Sequence, residues 1–218
     1  IRYYSISESK IKVIPNYINI DMIDRLKKER LNKKEDEIFS KDSPTIITVS
    51  RLVPEKGLNY LFRAFKKIIK IYRNSKLIII GDGPLRLDLE RLAKELKIWN
   101  NVYFLGKKKN PYKYMAHATV FVLSSIYEGF PNALLEAMAC GLPLIGVDAG
   151  GAREIIIHGR NGLVAKANNI PDLAQKMEAM KDEGMRKDMG AHSLKIAKRY
   201  SIERVADQFI DLYKRYMN

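Results

Sequence analysis

The sequence predicts an α/β fold, a doubly wound and mostly parallel sheet with helices on both faces. Five short apolar runs alternate with amphipathic stretches along the chain. Nearly continuous hydrophobicity is typical of strands that are covered on both faces. Repeated alternation of strand and helix requires right-handed crossovers, and therefore parallel strands. Because ligands of such sheets bind outside the carboxyl ends of the strands, we expect the chemistry in the loops that follow the five runs.

The runs and the segments between them can be placed in order. Predicted strands cover residues 45–49, 76–80, 102–105, 119–123 and 143–147. Apolar residues at helical spacing predict helices over 58–72 and 84–96. Residues 1–20 are interpreted as a leading strand and turn, and 21–41 as a charged helical excursion. From residue 172 the chain is expected to be helical to its end, with a break at 182–184 and a new helix starting at Ser201.

Composition limits the classes of function. The chain has 218 residues, close to the upper end for one domain, and a formal net charge of +14. Such a charge is compatible with nucleic acid, an acidic membrane surface or a phosphorylated ligand, but the lysines are spread over many segments, which favours a general compositional bias. The single cysteine, Cys140, favours a reducing, cytoplasmic location and a packed thiol. No apolar run approaches the ~18 residues of a membrane helix.

The first candidate loop, residues 50–57, follows a strand and leads into a helix. It carries Arg51 and Lys56 close to a helix N-terminus, where free amides already favour anions. Arg binds phosphate oxygens as a fork and Lys adds a compact charge, so the pair could clamp a diphosphate. Two solvated loop cations are the alternative. The glycine turn at 81–84 lacks the third glycine of a dinucleotide fingerprint and is interpreted as a tight packing turn.

The second candidate segment, residues 124–141, holds two carboxylates eight positions apart. Glu128 lies in the loop and Glu136 in the helix that Pro131 can begin. Carboxylates accept hydrogen bonds from sugar hydroxyls, and the surrounding helix is too apolar to bury a lone acid without a partner. A dipole-complementing charge at Glu128 and a solvated helix-face acid at Glu136 are the alternatives. Gly150 and Gly151, after the next strand, would allow close backbone approach to phosphate or sugar.

Together these segments resemble the C-terminal, Rossmann-like domain of glycosyltransferase family 4, the retaining enzymes of the GT-B fold. The resemblance rests on residues 13–16, 50–57, 81–84, 104–106, 128–136 and 150–154, in the family's order. It departs from the family pattern at Thr119, where an acid is common, and at Leu123, where a proline is common.

The resemblance implies a role for each site residue. Arg51 and Lys56 would neutralise the donor diphosphate, Glu128 would hold the transferred sugar, and Glu136 would bind the ribose hydroxyls. The other donor-binding residues it implies are Gly106 and Lys107 near the nucleobase and Gly129, Phe130, Pro131 and Leu135 around the sugar. No metal or other cofactor is expected, and the three histidines lie in unrelated segments.

The resemblance also implies partners and boundaries. The whole chain, 1–218, would be the domain that binds a nucleotide-sugar, with UDP-sugar favoured over GDP-sugar. Residues 1–10 would be the trailing edge of a missing N-terminal domain that binds a glycan or lipid-linked acceptor, and the helix 201–218 would pack back on that domain. We expect the isolated domain to be inactive, and the protein to be cytoplasmic, with peripheral contact at the inner face of the membrane. A nucleotide-sugar epimerase of the same architecture and a basic nucleic-acid-binding module are the alternatives.

Overall fold

The computed structural model describes residues 7, 10–39 and 44–217. Its centre is a six-stranded sheet in which every neighbouring pair is parallel, in the order β3-β2-β1-β4-β5-β6. The strands are β1 (Thr45–Val49), β2 (Lys76–Ile80), β3 (Val102–Gly106), β4 (Val120–Leu123), β5 (Leu144–Val147) and β6 (Gly162–Ala165). The predicted fold class is therefore confirmed. β6 was not predicted from the sequence, because a four-residue run beginning with glycine gives too weak a strand signal.

The helices connect these strands and extend beyond them. They are α1 (Ile20–Leu26), α2 (Lys33–Ile38), α3 (Leu58–Ile71), α4 (Arg86–Glu95), α5 (Tyr112–Met115), α6 (Asn132–Ala139), α7 (Ala152–Ile155), α8 (Ile170–Ala179), α9 (Glu183–Ala197) and α10 (Ile202–Met217). Among the described residues, no helix is long and apolar enough to cross a membrane.

The sheet is covered on both faces because successive strand residues point to opposite sides. In β1, Ile46 joins a core with α3, α4 and α8, while Ile47 joins a core with α1, α6 and α7. In β2, Leu77 and Ile79 face the first core and Ile78 faces the second. Two-sided burial explains the nearly continuous apolar runs. It also leaves the described residues of β4 and β5 without an exposed strand surface for stacking bases, the form that a nucleic-acid interface on the sheet would take.

The charged excursion forms α1 and α2 and is fixed to the start of α5. Glu35 of α2 accepts hydrogen bonds from Tyr114 and from Lys113, the latter at 3.1 Å, and lies 3.5 Å from Lys108. Burial of this carboxyl opposes its ionisation, but the hydrogen bonds from Tyr114, the Asn32 amide and Lys113 outweigh burial and hold the pKa of Glu35 at about 2. An excursion that looks solvated in the sequence is therefore anchored by one carboxylate.

Both ends of the described chain differ from the sequence expectation. The leading strand was wrong for the described residues 10–19, where only Ile18 forms an isolated bridge, to Ser201. Most of the proposed trailing edge, residues 1–10, lies outside the described part. In α10 Val205 is buried, whereas Phe209, Ile210 and Tyr213 are exposed, so much of the helix's apolar side has no partner among the described residues.

Candidate functional site

The strand order places a topological switch point between β1 and β4. From β1 the chain proceeds outward to β2 and β3, and from β4 it proceeds to β5 and β6 on the other side. Loops that leave neighbouring strands in opposite directions open a crevice at the carboxyl edge of the sheet. The loop 50–57 follows β1 and the loop 124–131 follows β4, so the two segments singled out in the sequence flank this crevice.

The loop after β1 is seated on the glycine turn that follows β2. Leu52 is fully buried, and its N–H donates to the carbonyl of Asp82. A Cβ at Gly81 would lie 1.9 Å from the Ser50 oxygen, and one at Gly83 would lie 2.6 Å from the Leu52 oxygen. The glycines therefore allow two backbones to touch, in agreement with the interpretation of this turn as a packing element.

The two loops of the crevice are bonded to each other. The Ser124 hydroxyl donates to the Lys56 carbonyl at 2.9 Å, and the Ile126 N–H donates to the Glu55 carbonyl at 2.8 Å. Gly57 has a φ of +57°, and a Cβ there would lie 2.3 Å from the Ser124 oxygen. This close approach fixes where the side chain of Lys56 leaves its loop.

Lys56 and Glu128 form an ion pair across the crevice. Lys56 Nζ lies 2.6 Å from Glu128 Oε1, and the same oxygen accepts from the Ser125 hydroxyl at 2.7 Å. The two side chains are only 20% and 13% exposed. Since an ammonium has three donors and a carboxylate two oxygens, both groups keep capacity for a ligand. Two residues predicted to act together are thus in direct contact.

Arg51 lies on the same loop as Lys56 but is exposed. No described residue forms an ion pair or a hydrogen bond with its guanidinium. Its fork of donors is therefore available to an anion at the mouth of the crevice. This is the arrangement that a diphosphate clamp needs, with one cation fixed and one free.

Glu136, on the helix that follows the loop, is half-buried and has a protein partner. Its Oε1 accepts a hydrogen bond from the hydroxyl of Tyr112 at 3.3 Å. Burial raises the pKa of the Glu136 carboxyl, and the bond from Tyr112 partly opposes that rise. Burial, with Glu136 nearby, raises the pKa of Tyr112 to about 12. Sequence reasoning missed Tyr112, because nothing in a single tyrosine of a one-turn helix indicates that it contacts an acid 24 residues later, on the helix that follows β4.

The glycine pair after β5 packs against the backbone of the loop after β4, and close approach of this pair to a ligand stays a prediction. A Cβ at Gly151 would lie 1.7 Å from the Gly129 oxygen, and one at Gly150 would lie 2.6 Å from the Glu128 oxygen. The Gly151 N–H also donates to the Glu128 carbonyl at 3.0 Å. These glycines therefore act on the site indirectly, by supporting the backbone that carries Glu128.

The other residues of the loop after β4 differ in their access to a ligand. Gly129 is exposed, and no atom lies within 4 Å of the position of an added Cβ. The ring centroid of Phe130 lies 5.8 Å from that of Tyr200, and the Phe130 carbonyl accepts a hydrogen bond from Asn16 Nδ2 at 3.3 Å. Pro131 is buried at the start of α6. Of Gly129, Phe130 and Pro131, Gly129 is thus the most open to a ligand.

The structure limits the predicted donor-binding role of Leu135. Its side chain is completely buried in the core between α6 and the sheet. The apolar spacing of α6 places this residue on the face opposite solvent. Any contribution of Leu135 to ligand binding is therefore confined to its backbone.

Gly106 and Lys107 lie at the same edge of the sheet but not at the crevice itself. They end β3, the outer strand, which β2 separates from β1. Gly106 has a φ of +70° and open space where a Cβ would be, and Lys107 is exposed. The structure brings neither residue into contact with the Lys56–Glu128 pair.

A cavity of about 500 Å³ lies beside the crevice, at the ends of β5 and β6. Arg153 pairs there with Asp148, and Lys176 pairs with Asp172 at 3.6 Å. None of Arg51, Lys56, Glu128 or Glu136 lines it. The cavity and the predicted site residues thus lie in different places. We place the site at the switch point, because the Lys56–Glu128 ion pair and Arg51, to which no described residue is paired, are there. Within the described ranges, no group of three or more His, Cys, Asp or Glu residues could hold a metal ion.

Comparison with known proteins gives a consistent family. An uncharacterised glycosyltransferase of Methanocaldococcus jannaschii is 44% identical over 150 residues, which are 68% of this chain and 37% of that protein. N-acetyl-alpha-D-glucosaminyl L-malate synthase of Bacillus anthracis is 31% identical over 205 residues, 93% of this chain and 53% of that protein. The chain spans about half the length of the curated relatives it matches.

Solved structures have the same fold. Alr3699/HepE of Anabaena, crystallised in complex with UDP, superposes with a TM-score of 0.83 at 25% identity, over 94% of this chain and 57% of that one. The sequence profile of the family "Glycosyl transferases group 1" matches residues 29–195, which include Arg51, Lys56, Glu128 and Glu136. Most of the chain, including both loops of the crevice, thus lies within one family, and the protein belongs to the group 1 glycosyl transferases.

Proposed function

We propose that this chain is the nucleotide-sugar-binding half of a retaining glycosyltransferase. The reaction transfers a sugar from a nucleoside-diphosphate donor to a hydroxyl of an acceptor, in the synthesis of a glycan, lipid or polysaccharide. The observation that carries the proposal is the Lys56–Glu128 pair at the switch point, 2.6 Å apart, with Arg51, to which no described residue is paired, on the same loop as Lys56. A fixed cation, a free cation and a hydrogen-bonded acid in one crevice suit a ligand that has both phosphates and hydroxyls.

Each part of the donor has a place in this arrangement. Arg51 and the remaining donors of Lys56 take the diphosphate, and the open backbone around Gly129 meets the sugar. Glu128 accepts from sugar hydroxyls through Oε2, which no described residue occupies. Glu136 accepts from the ribose, and the loop at Gly106 and Lys107 faces the nucleobase through its main chain. UDP-sugar is favoured, and the Anabaena structure with UDP supports that choice.

The chemistry assigned to this half is stabilisation of the departing nucleoside diphosphate. As the bond from the anomeric carbon to the phosphate oxygen breaks, negative charge grows on that oxygen. Lys56 is held in place by its ion pair with Glu128, so little reorganisation of that cation is needed. The acceptor hydroxyl attacks from the same face as the leaving group, which retains the anomeric configuration, and its proton goes to the donor phosphate. The two cations supply the charge compensation, so the proposal includes no metal.

The other half of the cleft is proposed to be a separate acceptor-binding domain. Two features of this chain support it. Among the described residues the crevice is bounded by the strand ends of one sheet, and the exposed apolar side of α10 would pack back on the second domain. Without that domain donor and acceptor are not juxtaposed, and we propose that the isolated chain binds the donor without transferring the sugar. The complete enzyme would act in the cytoplasm on a glycan or lipid-linked acceptor, with peripheral contact at the membrane.

Titration calorimetry on the 218-residue chain tests the proposal. UDP, GDP, ADP and UDP-sugars are each added to the unchanged chain, to Lys56→Met and to Lys67→Met. Lys67 is an exposed lysine of α3 and serves as the matched control. We expect binding of at least one diphosphate that Lys56→Met weakens at least tenfold and Lys67→Met leaves unchanged. No binding by the unchanged chain, or equal loss in both variants, would refute the assignment.

A further inference from the structure

We propose that Tyr112 is a positioning residue, which holds the carboxylate of Glu136 in the orientation that binds the donor's ribose. This inference rests on the proposed function, because it assigns a purpose to a contact inside the donor site. The contact itself is independent of that function: the Tyr112 hydroxyl donates to Glu136 Oε1 at 3.3 Å, from a different element of the fold.

Tyr112 is well placed to fix another side chain because its own position is fixed. The Asn110 carbonyl oxygen Oδ1 accepts from the Tyr112 N–H at 3.0 Å, and Asn110 Nδ2 donates to the Leu26 carbonyl at 2.9 Å. Two residues further on, Tyr114 bonds to Glu35 of α2. The one-turn helix α5 is thus held from the side of α1 and α2, and its first residue points toward α6.

The bond occupies one carboxylate oxygen and leaves the other for a ligand. No described residue hydrogen bonds to Glu136 Oε2. A phenol whose pKa lies near 12 stays protonated and can only donate to the carboxylate at neutral pH. That donation favours the ionised form of Glu136, against the burial that favours the protonated form. The ionised form is the better acceptor, because both hydroxyls of a ribose are donors.

The length of the contact limits the size of its effect. At 3.3 Å it is longer than the ~2.7–2.8 Å typical of O–H···O bonds. We therefore expect the loss of the Tyr112 hydroxyl to weaken ribonucleotide binding about three- to tenfold, the range of one ordinary hydrogen bond, rather than a hundredfold.

The test compares two ligands and two tyrosines. Calorimetry measures the affinity of the chain for its preferred ribonucleoside diphosphate and for the 2′,3′-dideoxy counterpart, in the unchanged chain, Tyr112→Phe and Tyr213→Phe. Tyr213→Phe is the control, since it removes the hydroxyl of an exposed tyrosine on α10 that takes no part in holding α5. We expect Tyr112→Phe alone to lose affinity for the ribonucleotide, with the dideoxy ligand bound within about twofold of the unchanged chain.

A second comparison separates positioning from a general effect on the fold. In a Glu136→Ala background Tyr112→Phe should cost nothing further, because the hydroxyl has lost the group it orients. Equal loss for both ligands in Tyr112→Phe, or a full additional loss in the Glu136→Ala background, would overturn the inference and leave the donor site in place. Absence of nucleotide binding by the unchanged chain would overturn both proposals.

Discussion

Replacing Lys56 with methionine is the sharpest test of the charge distribution in the crevice. The change keeps an unbranched side chain one atom shorter than lysine and removes its charge. In the structure the ammonium uses one donor on Glu128 and keeps two for the ligand. Charge-assisted hydrogen bonds contribute about 1.5 kcal/mol each at the low end, so two of them give about 3 kcal/mol. At about 1.36 kcal/mol per factor of ten, the sugar-transfer rate of the complete enzyme should fall at least about a hundredfold.

The assay follows sugar transfer by the full-length protein at saturating donor, with kcat and kcat/KM determined separately. Both constants should fall, because the interaction strengthens as charge develops on the leaving phosphate. Lys67→Met provides the control for a lost surface lysine, and thermal unfolding of each variant shows whether the fold survives without the partner of Glu128. Turnover within about threefold of the unchanged enzyme, in a folded Lys56→Met protein, would refute the reasoning.

Three further predictions concern the anchor of the excursion, the support of the site and the metal. The pKa of Glu35 is about 2, below its ordinary 4.5, so the ionised carboxyl contributes to the free energy of unfolding above pH 4.5, and this contribution is lost as the pH falls toward 2. In urea unfolding, Glu35→Gln should be about 1–2 kcal/mol less stable than the unchanged chain at pH 7. The two proteins should be nearly equal in stability at pH 2. Gly151→Ala places a Cβ 1.7 Å from the Gly129 oxygen and should cost more than about 3 kcal/mol in thermal unfolding, whereas Gly129→Ala, with open space, should unfold like the unchanged chain. Transfer by the full-length protein should be unaffected by an excess of EDTA, and a loss that Mg²⁺ or Mn²⁺ restores would contradict the assignment of charge compensation to Arg51 and Lys56.

The fold could be predicted because each strand and helix shows its own hydrophobic pattern within a short stretch of sequence. The runs at 45–49 and 76–80 are mostly apolar, since both faces of those strands are covered, and that pattern is visible without knowing what covers them. The same holds for α3, whose apolar residues recur at helical spacing. β6 was not predicted, because a run of four residues that begins with glycine shows little hydrophobic periodicity.

The candidate site was predictable where a loop follows a strand, and unpredictable where residues meet across the fold. The sequence by itself determined the doubly wound sheet, and it predicted the edge of the sheet where the chemistry would lie, with Arg51, Lys56, Glu128 and Glu136 as the charged residues of the site. Only the tertiary structure decided that Lys56 pairs with Glu128, that Gly151 supports the backbone near Glu128, and that Tyr112 contacts Glu136. The reason is that these contacts join residues 22 to 72 positions apart, and their partners are selected by strand order and packing, which no short stretch of sequence contains.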